Sequence, residues 1–297
     1  MKNVITLSSG KKLNRHQFLH YFERKIFRTI RKFNLIDKKD SVAVACSGGK
    51  DSMTVLYVLN EFCKQRSQRL EAIAVEEGMG SYRKKLLIEL KKFCKNKNIK
   101  LNVFSFKKEY GFTLDKIAKK IKKLGLSNCY VCSILKRWLL NKKARELGFS
   151  IVATGHSLDD EAETIILNQM KGAPELLAKL GPCSGTSKKK DFVQRIKPLY
   201  FCSSKEVILY ARLRNLPLSL EVCPARGETF RVEIRNFLKD TEKNHPEIKN
   251  AIVNSFLQIM PMLKEKYKNI ELKKCKVCKE PSSQEICKRC QILKLLR

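Results

Sequence analysis

A chain of 297 residues carries 62 Lys and Arg against 29 Asp and Glu, a formal charge of +33 at pH 7. That length is ample for one large α/β core with small appendages and excludes a minimal fold held by staples, while the charge points to a polyanion bound by phosphate neutralisation and counterion release. No stretch approaches the roughly 18 consecutive apolar residues of a membrane span and the N-terminus has no signal-peptide apolar core, so a cytoplasmic protein is expected and its twelve cysteines are read for metals and catalysis, not disulfides.

Phe18, Leu19, Phe22, Ile26, Ile30 and Phe33 recur at helical spacing and predict a basic helix over residues 14–34. Strand and helix signals then alternate: strand 42–46, helix 51–66, strand 70–75, helix 82–96, strand 101–106, helices 114–124 and 133–147, strand 150–154, and a helix from Leu158. Such alternation predicts a parallel sheet with helices on both faces. Residues 171–191, with a Lys188-Lys189-Lys190 run, are expected to form a long exposed loop, followed by helices at 203–215, 229–240 and 246–267.

The strand at 42–46 runs into Ser47-Gly48-Gly49-Lys50-Asp51-Ser52 and then a helix. A strand ending in such a turn aims backbone N–H groups and a helix dipole at one point, which suits a phosphate. It is not a Walker A loop, which needs four residues between its first Gly and its Gly-Lys pair. Gly48 and Gly49 permit close backbone approach, Ser47 and Ser52 add hydroxyls, Lys50 adds charge, and Asp51 can hold a hydrated Mg2+ on a pyrophosphate.

Further on come Cys129-Tyr-Val-Cys132, leading into Ser133-Ile-Leu-Lys136-Arg137-Trp138, then Gly155-His156-Ser-Leu-Asp159-Asp160, then Cys223-Pro-Ala-Arg226-Gly. A lone C-x-x-C is weak evidence: it serves as a redox pair, half a metal site or neither. Asp159 and Asp160 open a helix, where carboxylates also cap. His156 reads as a packing or hydrogen-bonding residue, and Cys63 and Cys94 as small hydrophobes on helix faces. In the tail, Cys275-Lys-Val-Cys278 and Cys287-Lys-Arg-Cys290 can close a tetrahedral all-cysteine zinc site with no open position, hence structural, in a segment too short to fold on its own core. Lys276, Lys279, Lys288 and Arg289 around it suit RNA.

The loop resembles that of the PP-loop ATP pyrophosphatases, whose signature is Ser-Gly-Gly-x-Asp-Ser and which cleave ATP between its α and β phosphates to activate a substrate oxygen as an adenylate. With the cysteines, the resemblance narrows to the TtcA/TtuA group of tRNA thiolases and their archaeal and eukaryotic wobble-uridine relatives. It runs from Leu13 to Cys290 and includes Glu77-Gly-Met-Gly80-Ser-Tyr82 and Tyr110-Gly111-Phe112. The resemblance implies a HUP-like fold of the adenine nucleotide alpha-hydrolase type, a [4Fe-4S] cluster on Cys129, Cys132 and Cys223, catalytic roles for Lys136 and Asp160, Gly155 against the nucleotide, and adenosine held by backbone at Ala45 and Val75. Three thiolates leave one iron of a cubane open for a transferable sulfur; alternatively Cys129 and Cys223 act as persulfide donor and resolving thiol with no cluster.

On this basis the chain divides into an N-terminal basic helical segment (1–39), a PP-loop ATP-binding catalytic domain (40–240), a helical segment (241–270) and a four-cysteine zinc-binding tail (271–297). The expected activity is ATP-dependent formation of 2-thiouridine in tRNA, at the wobble or T-loop position. The sulfur source is a ubiquitin-like carrier protein or another sulfide donor, and the resemblance implies a homodimer. Rivals are a lysidine-type PP-loop ligase, which has no use for Cys129, Cys132 and Cys223, and a zinc-containing tRNA-binding protein with a regulatory nucleotide site. Many relatives begin with a second zinc knuckle; here no cysteine precedes Cys46, and His16 with His20 cannot complete one.

Overall fold

A computed structural model of the chain describes residues 3–7, 9–185, 193–219, 221, 223–224, 227, 229–268 and 273–296. It opens with a hairpin that the sequence reading does not anticipate: β1 (Asn3–Thr6) pairs antiparallel with β2 (Lys12–Asn14). Leu13 is buried there, and Asn14 starts helix α1 (Arg15–Lys32) through a reciprocal capping box with Gln17, both bonds 3.0 Å.

The core then runs through β3 (Val42–Ala45), α2 (Lys50–Gln65), β4 (Leu70–Glu76), α3 (Gly80–Asn96), β5 (Leu101–Ser105), the short α4 (Phe106–Tyr110), α5 (Leu114–Lys123), α6 (Asn128–Glu146), β6 (Ile151–Ala153), α7 (Leu158–Met170), α8 (Pro174–Leu177) and β7 (Gln194–Ile196), alternating as expected as far as α7, with α4, α8 and a fifth strand β7 added. The five core strands form one parallel sheet in the order β5-β4-β3-β6-β7. Successive residues of β3 serve opposite layers: Val42 and Val44 pack with Phe22, Met53 and Leu56 from α1 and α2, whereas Ala43 packs with Ala144 and Phe149 near the end of α6. Burial on both faces explains why these strands are continuous apolar runs.

Chain order runs outward from β3 through β4 to β5 on one side, while β6 and β7 lie on the other. The carboxyl ends of β3 and β6 therefore flank the switch point, where open α/β sheets bind ligands. The phosphate loop leaves β3 and Gly155 leaves β6 at that place.

Within the segment expected to be a loop, α8 occupies Pro174–Leu177, and residues 186–192, including the lysine run, lie outside the described residues. Helices α9 (Ser204–Leu213), α10 (Phe230–Asn244) and α11 (Ile248–Lys266) follow. The tail adds a short hairpin, β8 (Lys273–Lys274) with β9 (Pro281–Ser282), and a helix α12 (Lys288–Leu296) that buries Ile292 and Leu296. No helix among the described residues is long and apolar enough to cross a membrane.

Candidate active site

The loop after β3 is shaped by close approaches. Gly48 sits at φ +79°, and a Cβ there would lie 2.7 Å from the Leu86 carbonyl oxygen of α3, so both backbone and space demand glycine. The Ser52 hydroxyl accepts from the Ser47 N–H at 3.1 Å and donates to the Gly49 carbonyl at 3.0 Å, folding the loop over the first turn of α2. Gly49 is the N-cap of α2 and offers no side-chain acceptor, so the first N–H groups of that helix keep their capacity for an anion. Lys50 Nζ lies 2.6 Å from Asp51 Oδ1. Burial raises the Asp51 carboxyl above its ordinary value despite the opposing pull of Lys50, a state that an added cation would relieve.

Gly155 completes the loop from the neighbouring strand. A Cβ there would stand 2.8 Å from both the Asp51 carbonyl carbon and the Ser52 nitrogen, so Gly155 lies directly against the backbone that shapes the cradle. Backbone cannot swing aside as a side chain can. Gly155→Ala should therefore destabilise the fold by about 1–3 kcal/mol, as overpacking does, and lower ATP-dependent pyrophosphate release by displacing the cradle. A thermal melt and a pyrophosphate assay check this; wild-type values in both would mean the loop accommodates the methyl group.

Glu77, just past β4 and 2% exposed, forms the hub of the site. One carboxylate oxygen pairs with Lys136 Nζ of α6, and the other accepts from Arg83 Nε of α3 at 2.5 Å. The same Arg83 guanidinium donates to the Ser47 carbonyl in the phosphate loop and to the Val75 carbonyl, the latter at 2.8 Å. One buried carboxylate thus joins the nucleotide loop, the end of β4 and the helix carrying the cysteine pair. Burial opposes the Glu77 charge, but Lys136 and then Arg83 outweigh it and hold the carboxyl below its ordinary range. Lys136 is likewise opposed by burial and raised by Glu77. In the sequence Glu77 stands only within its Glu-Gly-x-Gly motif and Arg83 belongs to no motif; a Glu after an apolar strand and before Gly-x-Gly is the local signal for the hub.

Ala45 stands half-buried at the end of β3, and the Val75 carbonyl is taken by Arg83. Beside the loop, an open cleft of about 700 Å3 is lined by Gly48, Lys85, Leu86 and Glu89 on one side and Pro217 and Leu218 on the other, room for a nucleoside-sized ligand.

The two aspartates of α7 have different surroundings. Asp159 accepts from the Ser204 N–H at 2.7 Å and pairs with Lys249 at 2.6 Å, tying α7 to α9 and α11. Asp160 caps its own helix through the Ser157 N–H and hydroxyl, each 3.1 Å, with Arg231 at 3.7 Å. Burial would raise Asp160, yet His156, the Ser157 N–H and Arg231 together hold it below the ordinary carboxylate range. His156 bonds the Thr154 hydroxyl at 2.9 Å, and burial pushes its imidazole down to about 3 against the pull of Asp160.

Helix α6 begins at Asn128, a turn before the predicted start, because the Ser127 hydroxyl accepts from the Tyr130 N–H at 3.2 Å and caps it. Cys129 and Cys132 consequently fall at i and i+3 on its first turns, one exposed and one half-buried. The Cys132 thiol is pushed up to about 11 by burial, with Glu77, Cys223 and Cys129 adding to that and Lys136 opposing it. Burial and then Cys223 raise Tyr82, whose hydroxyl donates to the Glu221 carbonyl at 3.3 Å. Cys132 thus lies within electrostatic reach of Cys129, Cys223, Glu77 and Lys136. Three thiols in such reach suit, by their chemistry, a cluster whose fourth corner is not a protein ligand, since a cubane spreads its ligands farther apart than a single ion does.

The tail cysteines gather more tightly: Cys275, Cys278, Cys287 and Cys290 place their sulfurs within 4.8 Å of one another, the only such group among the described residues. The Cys287 N–H donates to the Cys275 sulfur at 3.3 Å. Such a closed thiol set with N–H donors to sulfur fits one tetrahedral ion. This knuckle docks on α6, with the Arg289 guanidinium 4.1 Å over the Trp138 ring and Arg145 2.5 Å from Glu280.

Comparison with known proteins agrees with this arrangement. Residues 19–241 match the PP-loop domain family. The chain is 35% identical to the tRNA-5-methyluridine(54) 2-sulfurtransferase of Pyrococcus horikoshii, over 92% of this chain and 85% of that protein. It is 34% identical to the cytoplasmic tRNA 2-thiolation protein 1 of Aspergillus niger, over 98% of this chain and 84% of that one. Among solved structures it superposes on the U34-tRNA thiolase NcsA of Methanococcus maripaludis, determined with its [4Fe-4S] cluster, with a TM-score of 0.84 and 32% identity, covering 98% of this chain and 93% of that one. A phosphate loop joined through a buried carboxylate to the helix of a cysteine pair is thus set in a chain that belongs to the PP-loop domain family and, within it, to the tRNA 2-thiolation proteins.

Proposed function

We propose that this protein is an ATP-dependent tRNA sulfurtransferase that converts a uridine to 2-thiouridine. The observation that carries the reading is the Glu77 hub, which through Lys136 and Arg83 ties the helix carrying Cys129 and Cys132 to the Ser47–Ser52 loop. Activation and sulfur delivery need that adjacency, because an adenylated base must meet sulfur before water does.

ATP lies with its phosphates on the Ser47-Gly48-Gly49-Lys50-Asp51-Ser52 loop and its adenosine near Ala45 and Val75, and Asp51 would hold a hydrated Mg2+ on the pyrophosphate. The uridine carbonyl oxygen attacks the α-phosphorus and pyrophosphate leaves; sulfur then adds at the same carbon and AMP departs with the original oxygen. The N–H groups of α2 face the charge that develops on pyrophosphate. Lys136, swung from Glu77, meets the oxyanion, and charged Asp160 beside Gly155 accepts a hydrogen bond from the acceptor. A [4Fe-4S] cluster held by Cys129, Cys132 and Cys223 would supply activated sulfide to this cleft. Zinc on Cys275, Cys278, Cys287 and Cys290 would fix the tail. The relatives' names specify position 54 in one case and U34 in another, and the acceptor here is a uridine at one of these two positions. A sulfur-carrier protein or free sulfide as donor, and a second copy of this chain, belong to the same reading.

Anaerobic purification with iron, sulfide and zinc analysis tests it, alongside pyrophosphate release and mass spectrometry of tRNA fragments. Cys129→Ala should lose iron and keep zinc, and Cys275→Ala should lose zinc. Wild-type protein holding zinc but no iron would sink the cluster and leave the Cys129–Cys223 persulfide. No tRNA-dependent pyrophosphate release would sink the enzyme.

A further inference from the structure

Among the described residues, two arginines near His156 have no answering anion. Arg195 of β7 lies in register beside Val152 of β6, and Val152 packs with Val193 and Ala144 on the face of the sheet turned toward α6. The Val193 N–H donates to Asn141 Oδ1 at 3.2 Å, which fixes that stripe of α6 against β7. Arg137, exposed, is one helical turn before Asn141 on the same stripe, and Arg195, half-buried, is two residues after Val193 on the same strand face, so the two guanidiniums stand near enough to feel each other's charge.

The surrounding cations are already matched. Lys197 pairs with Glu161 at 2.7 Å, Arg231 with Glu163 at 3.0 Å, and Arg235 with Glu163 at 2.6 Å. Arg137 and Arg195, by contrast, make no hydrogen bond or ion pair among the described residues. Burial and then the charge of Arg137 pull Arg195 down to about 10, and both arginines act on His156 beside Asp160. Like charges gathered without a counter-ion oppose folding, and they recur where an anion is to be bound.

We propose that Arg137 and Arg195 form a binding site for one phosphodiester of the RNA strand flanking the nucleotide to be modified. The nucleotide's own phosphates belong to the loop after β3, and Arg195 lies two strands away, about 10 Å at ordinary strand spacing. A second phosphate held at that distance is the acceptor's. Paired guanidiniums suit it, since their planar forks bind phosphate oxygens two at a time, and such contacts set register rather than sequence. The site rests on the reading of this chain as a tRNA-modifying enzyme.

The test is equilibrium binding of an unmodified tRNA transcript across a salt series, by wild type, Arg137→Gln, Arg195→Gln and the double variant, with ATP affinity and thermal midpoint measured in parallel. Either single substitution should weaken tRNA binding on the order of tenfold and reduce the slope of log affinity against log salt by about 0.7–0.9, the value for one phosphate. The double variant should lose no more slope than a single one, and Arg195→Lys should restore it. ATP affinity should hold, and the thermal midpoint should hold or rise as an unmatched charge is removed. An unchanged slope in both variants overturns the site, as does a midpoint that falls, which would make the pair structural. An equal loss of ATP affinity would assign the pair to the nucleotide instead. Wild-type protein that does not bind tRNA would sink the function itself along with the site.

Discussion

Glu77→Gln should abolish most thiolation and remove about 3–5 kcal/mol of stability, the loss typical of breaking a buried ion pair from one side. The substitution keeps shape and volume but leaves Lys136 and Arg83 facing a neutral amide in a place where Glu77 is 2% exposed. Arg83 would then hold the Ser47 and Val75 carbonyls without its anchor, so the loop should loosen and ATP affinity fall along with turnover. The pH dependence separates this hub from ordinary packing. Because the Glu77 carboxyl is held below its ordinary value of 4.5 in the folded protein, its contribution is fully present above pH 4.5 and is lost as pH falls through the lowered folded value. The stability gap between wild type and Glu77→Gln is therefore widest at neutral pH and closes on acidification below about pH 4.5. Urea midpoints at pH 7 and on the acid side measure it. A gap that stays constant across that range would show that the glutamine acts through packing, not charge.

The same residue marks where sequence reading reached its limit. The alternation of strands and helices, the loop after β3 and the tail cysteine spacing are local patterns, and each was legible because period and turn chemistry sit in consecutive residues. The Glu77–Lys136 pair spans 59 positions and depends on three elements meeting, which no local pattern encodes. The start of α6 was misjudged for a different reason: Asn128, Cys129 and Tyr130 carry no helical apolar period, and the Ser127 cap decides the matter. Hairpin β1–β2 and strand β7 are only three or four residues long, so alternation had too few positions to register. Helix α12 was hidden by the cysteine pattern, although Ile292 and Leu296 follow it at i and i+4. The paired aspartates were legible as a motif but not in their division of labour, since Asp159 is claimed by Ser204 and Lys249 from distant helices.

Removal of the tail metal should produce partial unfolding reported by one residue. Trp138 is the sole tryptophan of the chain, and the Arg289 guanidinium lies 4.1 Å over its ring. Residues 273–296 bury little besides the cysteines, Ile292 and Leu296, so an ion held by Cys275, Cys278, Cys287 and Cys290 would supply most of the folding free energy of that segment. Structural zinc in small cysteine sites contributes about 10–16 kcal/mol at neutral pH, far more than this segment could replace. Chelation, or Cys275→Ser, should therefore release α12, expose Trp138 to water and shift its emission to the red. The parallel sheet should remain, because Leu135 and Leu139 keep α6 anchored at 0% exposure. Far-UV circular dichroism should lose little beyond one short helix while the fluorescence change is complete. Loss of the metal with unaltered Trp138 emission would mean that the tail holds its shape by packing alone. Since α6 carries Cys129 and Cys132 at its start, Lys136 in its middle and the knuckle contacts at Trp138 and Arg145, freeing the tail removes one of the restraints on that helix. Glu77 is the restraint nearest the cysteine pair, so iron retention should fall modestly when the tail is released and steeply when Glu77→Gln is added.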